Sequence, residues 1–155
     1  HWDIAPEQEY FEELVRVSKN QIIWGGNYFL LPPTRCFLVW RKLSISEKFT
    51  MAMCEYAWTS FNQNAKWIEL APQDKNRFHP TQKPVKLYAW LLKNYAKPGD
   101  KILDTHLGSG SIAIACHDMG FDLDGYELDK DYYEAAVKRL EDHKRQGLLL
   151  DPKGI

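Results

Sequence analysis

The chain has 155 residues, 45% hydrophobic and 26% charged, the balance of one ordinary globular domain that can bury about two-thirds of its unfolded surface. Twenty Lys and Arg against 21 Asp and Glu give a net charge of −1, so bulk charge offers no argument for a nucleic-acid partner, which would need a local patch. No apolar run approaches the ~18 residues of a membrane span, and disorder, collagen and coiled coil are excluded as whole-chain readings.

The sequence opens at His1 without an initiator Met, as a fragment or trimmed chain would, and no charged-then-apolar leader suggests a secretion signal. Pro6 to Lys19 predicts a helix: Pro6 suits the first turn, Glu7 and Glu9 its positive end, and Tyr10, Leu14 and Val17 form a stripe. Gln21 to Trp24 reads as a short buried strand ended by Gly25-Gly26, and Leu31 to Thr34 as a loop. Cys36 to Trp40 reads as a second buried strand ended by Arg41-Lys42, and the polar stretch Leu43 to Thr50 as a mobile loop. Glu55–Phe61 and Lys66–Leu70 flank Asn62-Gln63-Asn64, which predicts a hairpin.

Ala71 to Arg77 is polar, contains Pro72 and reads as a linker between two halves, 1–70 and 78–155. Pro84 to Tyr95 predicts a helix with Tyr88, Leu91, Leu92 and Tyr95 on one face, broken by Lys97-Pro98-Gly99-Asp100. Lys101–Asp104 follows as a strand and Gly110–Met119 as a helix, with Ile112, Ala115, Cys116 and Met119 on one face and Gly120 as its stop. Phe121–Glu127 is a strand, and Asp129–Gln146 a helix with Tyr133, Ala136, Val137 and Leu140 inward. This alternation implies a parallel sheet with a right-handed crossover. Cys36, Cys54 and Cys116 are odd in number and far apart, which fits buried thiols in a reducing compartment rather than a disulfide framework or a zinc site.

The most informative stretch is Ile102 to Ser111. A strand feeds a tight glycine turn that opens a helix, so a ligand can approach the backbone and meet the helix's unpaired N–H groups. Seventeen residues after Gly110, Glu127 ends the next strand, where a carboxylate can accept both hydroxyls of a ribose. Together these features describe a nucleoside site at the carboxyl edge of a sheet. Gly108-x-Gly110-x-x-Ala113 also fits the dinucleotide fingerprint, a weak match by itself. Two details oppose a nicotinamide cofactor: four residues, Asp104 to Leu107, separate strand and first glycine, and Asp104 would repel a pyrophosphate. An acid there suits a cationic ligand with a free amine, such as S-adenosylmethionine. A side chain at Gly110 is expected to fill the space such a ligand needs.

Phe78-His79-Pro80-Thr81-Gln82-Lys83-Pro84, then Asp104 and Gly108-Ser109-Gly110, then Gly125-Tyr126-Glu127-Leu128-Asp129 together resemble the cofactor half of the DNA amino-methyltransferases, the N6-adenine and N4-cytosine enzymes. Ile22-Ile23-Trp24-Gly25-Gly26-Asn27 and Cys54-Glu55-Tyr56-Ala57-Trp58 resemble their target-side half. That order of halves resembles the circularly permuted β group. The resemblance implies a Rossmann-like class I methyltransferase fold, α/β, with a mostly parallel sheet and an antiparallel hairpin at one edge. It implies S-adenosyl-L-methionine as cofactor and DNA as partner, no metal and no membrane, a bacterial or phage-encoded cytoplasmic protein, and it leaves room for a homodimer. It places N6-adenine ahead of N4-cytosine. By resemblance, Gly108, Ser109 and Gly110 cradle the methionine portion, beside Thr105 and His106. Asp104 holds the amino group, directly or through water, and Glu127 grips the ribose. The segment carrying Phe78, His79, Thr81 and Lys83 caps the amino-acid end.

The family also holds the target amine with Asp, Asn or Ser followed by Pro-Pro and an aromatic, the ring stacking on a flipped base. Among the 155 residues the only Pro-Pro is Pro32-Pro33, between Leu31, which cannot accept a hydrogen bond, and Thr34, which cannot stack; the catalytic residues are therefore unknown. In the permuted group that motif and the central strand carrying it lie upstream of the Pro6 helix, so upstream strands are expected beyond His1. The Ala71–Arg77 linker is short where many relatives carry a recognition domain. Arg35, Arg41, Lys42 and Lys48 beside Phe37 and Trp40 form a candidate DNA patch, with solvated strand-end charges as the equal alternative. Two further readings stay open: a catalytically inactive cofactor-binding module and a nicotinamide-dependent oxidoreductase.

Overall fold

Helix α1 (Gln8–Val17) carries apolar residues at helical spacing and buries Phe11, with Tyr10 and Leu14 packed alongside. Val17 is exposed, so the buried stripe centres on Phe11 rather than running Tyr10–Leu14–Val17. The computed structural model describes residues 6–43, 52–72, 79 and 82–150, the side chains of 148–150 excepted. The chain divides into two units, His1–Ala71 and Pro72–Ile155.

The first unit is built on a four-stranded sheet, β1 (Ile22–Trp24), β2 (Phe37–Lys42), β3 (Cys54–Thr59) and β4 (Lys66–Leu70), in the order β1-β3-β2-β4. Beta-branched and aromatic residues supply the strands. Strand β3 runs antiparallel to both β1 and β2, whereas β4 runs parallel to β2. The hairpin expected around Asn62–Asn64 is therefore absent. β3 and β4 do not pair with each other but occupy opposite edges of β2; the antiparallel partner of β3 nearest in sequence is β2 itself. Strand β2 also continues through Arg41-Lys42 instead of ending before them. Leu38 and Trp40 of β2 are fully buried, and the Trp40 indole N–H donates to the Leu70 carbonyl at 3.0 Å. On the opposite face Ile23 and Trp58 pack with Phe11 of α1, and Trp58 donates to the Pro32 carbonyl at 2.7 Å. Gly26, which opens a short 3₁₀ turn (Gly26–Tyr28), lies so close to Trp58 that a Cβ there would sit 2.5 Å from the Trp58 Cβ. The loop reading of residues 44–50 falls outside the described residues.

The second unit alternates helix and strand: α2 (Val85–Tyr95), β5 (Lys101–Asp104), α3 (Ser111–Met119), β6 (Asp122–Gly125) and α4 (Lys130–Leu150). β5 and β6 are parallel, with Ile102 opposite Leu123 and Asp104 opposite Gly125. Leu92 of α2 meets Ile112, Ala115 and Cys116 of α3, and Ile102 and Leu123 pack against that cluster. α3 stops as its sequence dictates: Gly120 takes a left-handed φ of 79°, and the Phe121 N–H reaches back to the Cys116 carbonyl at 2.9 Å, a Schellman ending. Asp129 starts α4, its carboxylate accepting the Tyr132 N–H at 3.0 Å. The face α4 turns inward overlaps the expected one only in part, at Ala136 and the half-buried Leu140. Ala136 is buried, Tyr133 and Val137 are exposed, and the inward line runs through Tyr132, Ala136 and Arg139. Cys36 and Cys116 are buried thiols, whereas Cys54 is exposed.

Candidate nucleoside site at the ends of the parallel strands

The site is assembled where β5 and β6 end together. Beyond the last ladder pair the backbone keeps pairing: the Tyr126 N–H donates to the Asp104 carbonyl at 2.9 Å, and the Leu107 N–H to the Tyr126 carbonyl at 2.8 Å. These bonds hold the two loops side by side. Asp104 sits at the end of β5, and its Oδ1 accepts the His106 N–H at 2.9 Å. Thr105 Oγ1 and His106 Nδ1 are bonded at 2.9 Å. The chain then turns through Gly108 and Gly110, both with left-handed φ, 55° and 76°.

Glu127 bridges the loops. Its Oε2 accepts the Gly108 N–H at 2.8 Å and its Oε1 the Asp129 N–H at 3.2 Å. The predicted ribose acceptor is thus oriented by the glycine turn itself, with lone pairs remaining for a ligand. His79 is buried over Gly108, where an added Cβ would meet its Cε1 at 3.5 Å, and its ring meets the Tyr132 ring edge-on at 4.5 Å. Lys83 is half-buried and close enough to Asp104 to act on its ionisation. Phe78 and Thr81 lie outside the described residues.

One expectation needs correction, and the part of Ser109 becomes more specific. The Ser109 hydroxyl is buried 3.1 Å from that of Ser111, beside the Arg139 guanidinium, which leaves its backbone to face the turn. The space beside Gly110, by contrast, is not ligand space. A Cβ at Gly110 would point into α4, 2.9 Å from the Cβ of Ala136, so Gly110 is there for helix packing. Conversely, Tyr132 and Arg139 of α4 reach the turn, and neither is singled out by sequence spacing. The signal is there, since 132, 136 and 139 share a helix face, but Tyr133, Val137 and Leu140 offer an equally good and more apolar stripe.

Charge is distributed to favour a cation. Burial pushes the Asp104 pKa above the usual carboxylate range; the His106 amide bond and the charges of His106 and Lys83 oppose this, and the like charge of Glu127 adds to it. Burial, with Asp104 as the second cause, also pushes the Cys116 thiol up to about 11. In the first unit the described residues of the candidate DNA patch each have a place in the protein's own contacts. Trp40 is buried, Arg41 pairs with Glu69 at 2.7 Å, Lys42 pairs with Glu55 at 3.1 Å, and Arg35 donates to Asn64 at 2.6 Å. Lys48 lies outside the described residues. No helix among the described residues is long and apolar enough to cross a membrane.

A family model described as DNA methylase, of the N6/N4 class, matches residues 9–138. The type II methyltransferase M.HpaI of Haemophilus parainfluenzae is 38% identical over 69 residues, 44% of this chain and 22% of that protein. M2.DpnII of Streptococcus pneumoniae is 40% identical over 63 residues, 41% of this chain and 24% of that protein. The matched stretches thus span about a quarter or less of these relatives. Among solved structures, the M1.HpyAVI–SAM complex aligns with a TM-score of 0.55 at 23% identity, covering 85% of this chain and 68% of that one. The PvuII DNA methyltransferase (cytosine-N4-specific) aligns with 0.55 at 12% identity, covering 71% and 55%. At such identities the likeness establishes fold alone, and that fold is the Rossmann-like α/β fold of class I methyltransferases.

Two outcomes test this geometry. Gly110→Val should cost on the order of 3 kcal/mol of folding stability, from overpacking against Ala136 and a left-handed backbone together. Denaturant unfolding reads it, and wild-type stability would contradict the close approach. A carboxyl whose folded pKa exceeds its unfolded value supports the fold while protonated and loses that contribution as pH rises through the folded value. Asp104→Asn should therefore raise the ligand-free unfolding midpoint at pH 7, by a margin that shrinks toward acid pH. Thermal unfolding across pH 4–8 measures it, and a destabilised Asn variant at pH 7 would refute the stated charge balance.

Proposed function

The chain belongs to the DNA methylase family, and from that premise we propose that it binds S-adenosylmethionine along Thr105 to Gly110 and serves methylation of an exocyclic amine of a DNA base, N6 of adenine or N4 of cytosine. The reading is carried by one observation: the Glu127 carboxylate is fixed by the Gly108 N–H at 2.8 Å, across the strand ends from the half-buried Asp104. Two carboxylates at one strand edge, with Glu127 adding to the cost of ionising Asp104, suit a ligand with an ammonium, a sulfonium and ribose hydroxyls, and disfavour a pyrophosphate.

On this reading Asp104 holds the amino group, directly or through water, and Glu127 accepts the ribose hydroxyls. The backbone of Gly108 to Gly110 lies along the methionine portion, near His106 and Thr105. His79 and Lys83, with Phe78 and Thr81 in the same segment, cap the amino-acid end. When bound, S-adenosylmethionine supplies a methyl group made electrophilic by its sulfonium. The residues of this chain bind and orient it.

An exocyclic amine shares its lone pair with its ring and must be held by acceptors to react. The one Pro-Pro here lacks the family's partners for it, since Leu31 before it has no side-chain acceptor and Thr34 after it no ring to stack, and the Pro32 carbonyl accepts the Trp58 indole. We place the amine-holding motif on polypeptide outside these 155 residues. The β5–β6 pair supports the same placement, since parallel strands are stable when flanked by further strands and covered on both faces. Trp58, which could otherwise serve a target site with Trp24 and Asn27, is committed to the core with Phe11 and Ile23.

Glu127→Ala should weaken S-adenosylmethionine binding 10- to 100-fold, about 1.5–3 kcal/mol, read by calorimetry on folded protein; unchanged affinity would mean that the ribose is held elsewhere. Methyl incorporation into unmethylated DNA should be absent for the 155 residues alone and present for the longer protein that contains them, because orientation of the amine is missing from the former. Product nucleoside analysis identifies the amine. Robust turnover by the 155 residues alone would overturn the assignment of the target site, and no turnover by the longer protein would make this an inactive cofactor-binding module.

A further inference from the structure

Helix α4 touches the glycine turn at three successive turns of its own length. Tyr132 sets its ring against His79 at 4.5 Å, and His79 lies over Gly108. Ala136 abuts Gly110. Arg139 closes the series: its Nη1 donates to Ser111 Oγ at 2.8 Å and to the Ser109 carbonyl at 3.2 Å, with Ser109 Oγ at 3.4 Å. Ser109 and Ser111 are only 4% and 2% exposed. A buried carbonyl left without its donor costs far more than an exposed one, so this contact fixes where Ser109 can lie. The residue before it, Gly108, carries the N–H that orients Glu127. One side of the turn is thus pinned by a cation on α4, while the other presents the amide that aims the ribose acceptor.

We infer that Arg139 is a positioning residue for the nucleoside site, setting the Gly108–Gly110 turn through Ser109 and Ser111 and, through that turn, the direction of the Glu127 carboxylate. Its consequence for affinity rests on the S-adenosylmethionine reading; its effect on the turn does not. Arg139 acts without needing to touch the ligand. An arginine also carries an apolar stem that can contribute packing, so the test must separate stem from guanidinium.

Arg139→Met keeps the stem and removes the donor; Arg139→Lys keeps stem, charge and donors. Hydrogen exchange on the ligand-free folded protein reads the turn, and calorimetry with S-adenosylmethionine reads affinity. In Arg139→Met, exchange at the Gly108 and Gly110 amides should quicken about tenfold or more relative to Leu91 and Leu92 in the buried face of α2, and affinity should fall about tenfold. Arg139→Lys should recover most of both. If Arg139→Met fails to fold, Arg139→Gln against Arg139→Lys gives the same comparison. Equal acceleration at all four amides with unchanged affinity would mean a merely structural arginine and would overturn the inference, as would wild-type behaviour in Arg139→Met. Local acceleration in a protein whose wild type does not bind S-adenosylmethionine would uphold the positioning role and overturn the cofactor reading instead.

Discussion

How closely α4 can approach the turn between β5 and α3 governs the second unit. The backbone at Gly110 is left-handed, φ 76°, and a Cβ there would lie 2.9 Å from that of Ala136. Only glycine meets both conditions, and only a small residue on α4 can face it. Once that contact is made, Tyr132 and Arg139 come within reach of His79 and Ser109, one helical turn to either side. Gly110 also begins α3, whose Ile112, Ala115 and Cys116 form the core with Leu92. The same residue therefore fixes the glycine turn and the direction of the helix on which the core is built.

Electrostatics work against stability at this place. Asp104 is half-buried near Glu127, and its charged form is disfavoured first by desolvation and also by the neighbouring like charge. The His106 amide and Lys83 recover only part of that. A protein selected for stability alone would carry Asn here; an Asp suits a site that receives a cation. The neighbouring Cys116 carries the same signature. With its thiol pushed up to about 11, it stays neutral and serves as packing, not as a nucleophile.

The parts of the fold legible in the sequence are those set by local rules. The Gly120 stop of α3, the strand from Lys101 to Asp104 and the Gly108–Gly110 turn follow from backbone requirements that few residues satisfy. Glu127 is legible from its distance past the turn, although its bond to the Gly108 amide is not. What escapes the sequence is long-range. Which of two adjacent stripes α4 buries depends on where the turn lies, so Tyr132 and Arg139 are hidden behind the more apolar Tyr133 and Val137. The inward direction of Ser109 depends on Arg139, 30 residues away.

The first unit teaches the same lesson through its sheet, with a consequence for DNA contact. Asn62-Gln63-Asn64 has hairpin composition, yet β2 presents two hydrogen-bonding edges, and β3 and β4 take one each. Trp40 secures the arrangement, because its indole N–H is buried and finds its acceptor at Leu70, the last residue of β4. Placing β2 in the middle gives each cation at its end an acidic neighbour from a different strand: Glu69 of β4 for Arg41, Glu55 of β3 for Lys42. The pairs themselves add little to stability where they are exposed. Their effect is on recognition. A phosphate approaching Arg41 or Lys42 would compete with the carboxylate already beside each, so these two cations offer it less than their sequence suggests, while Arg35 bonds the neutral Asn64.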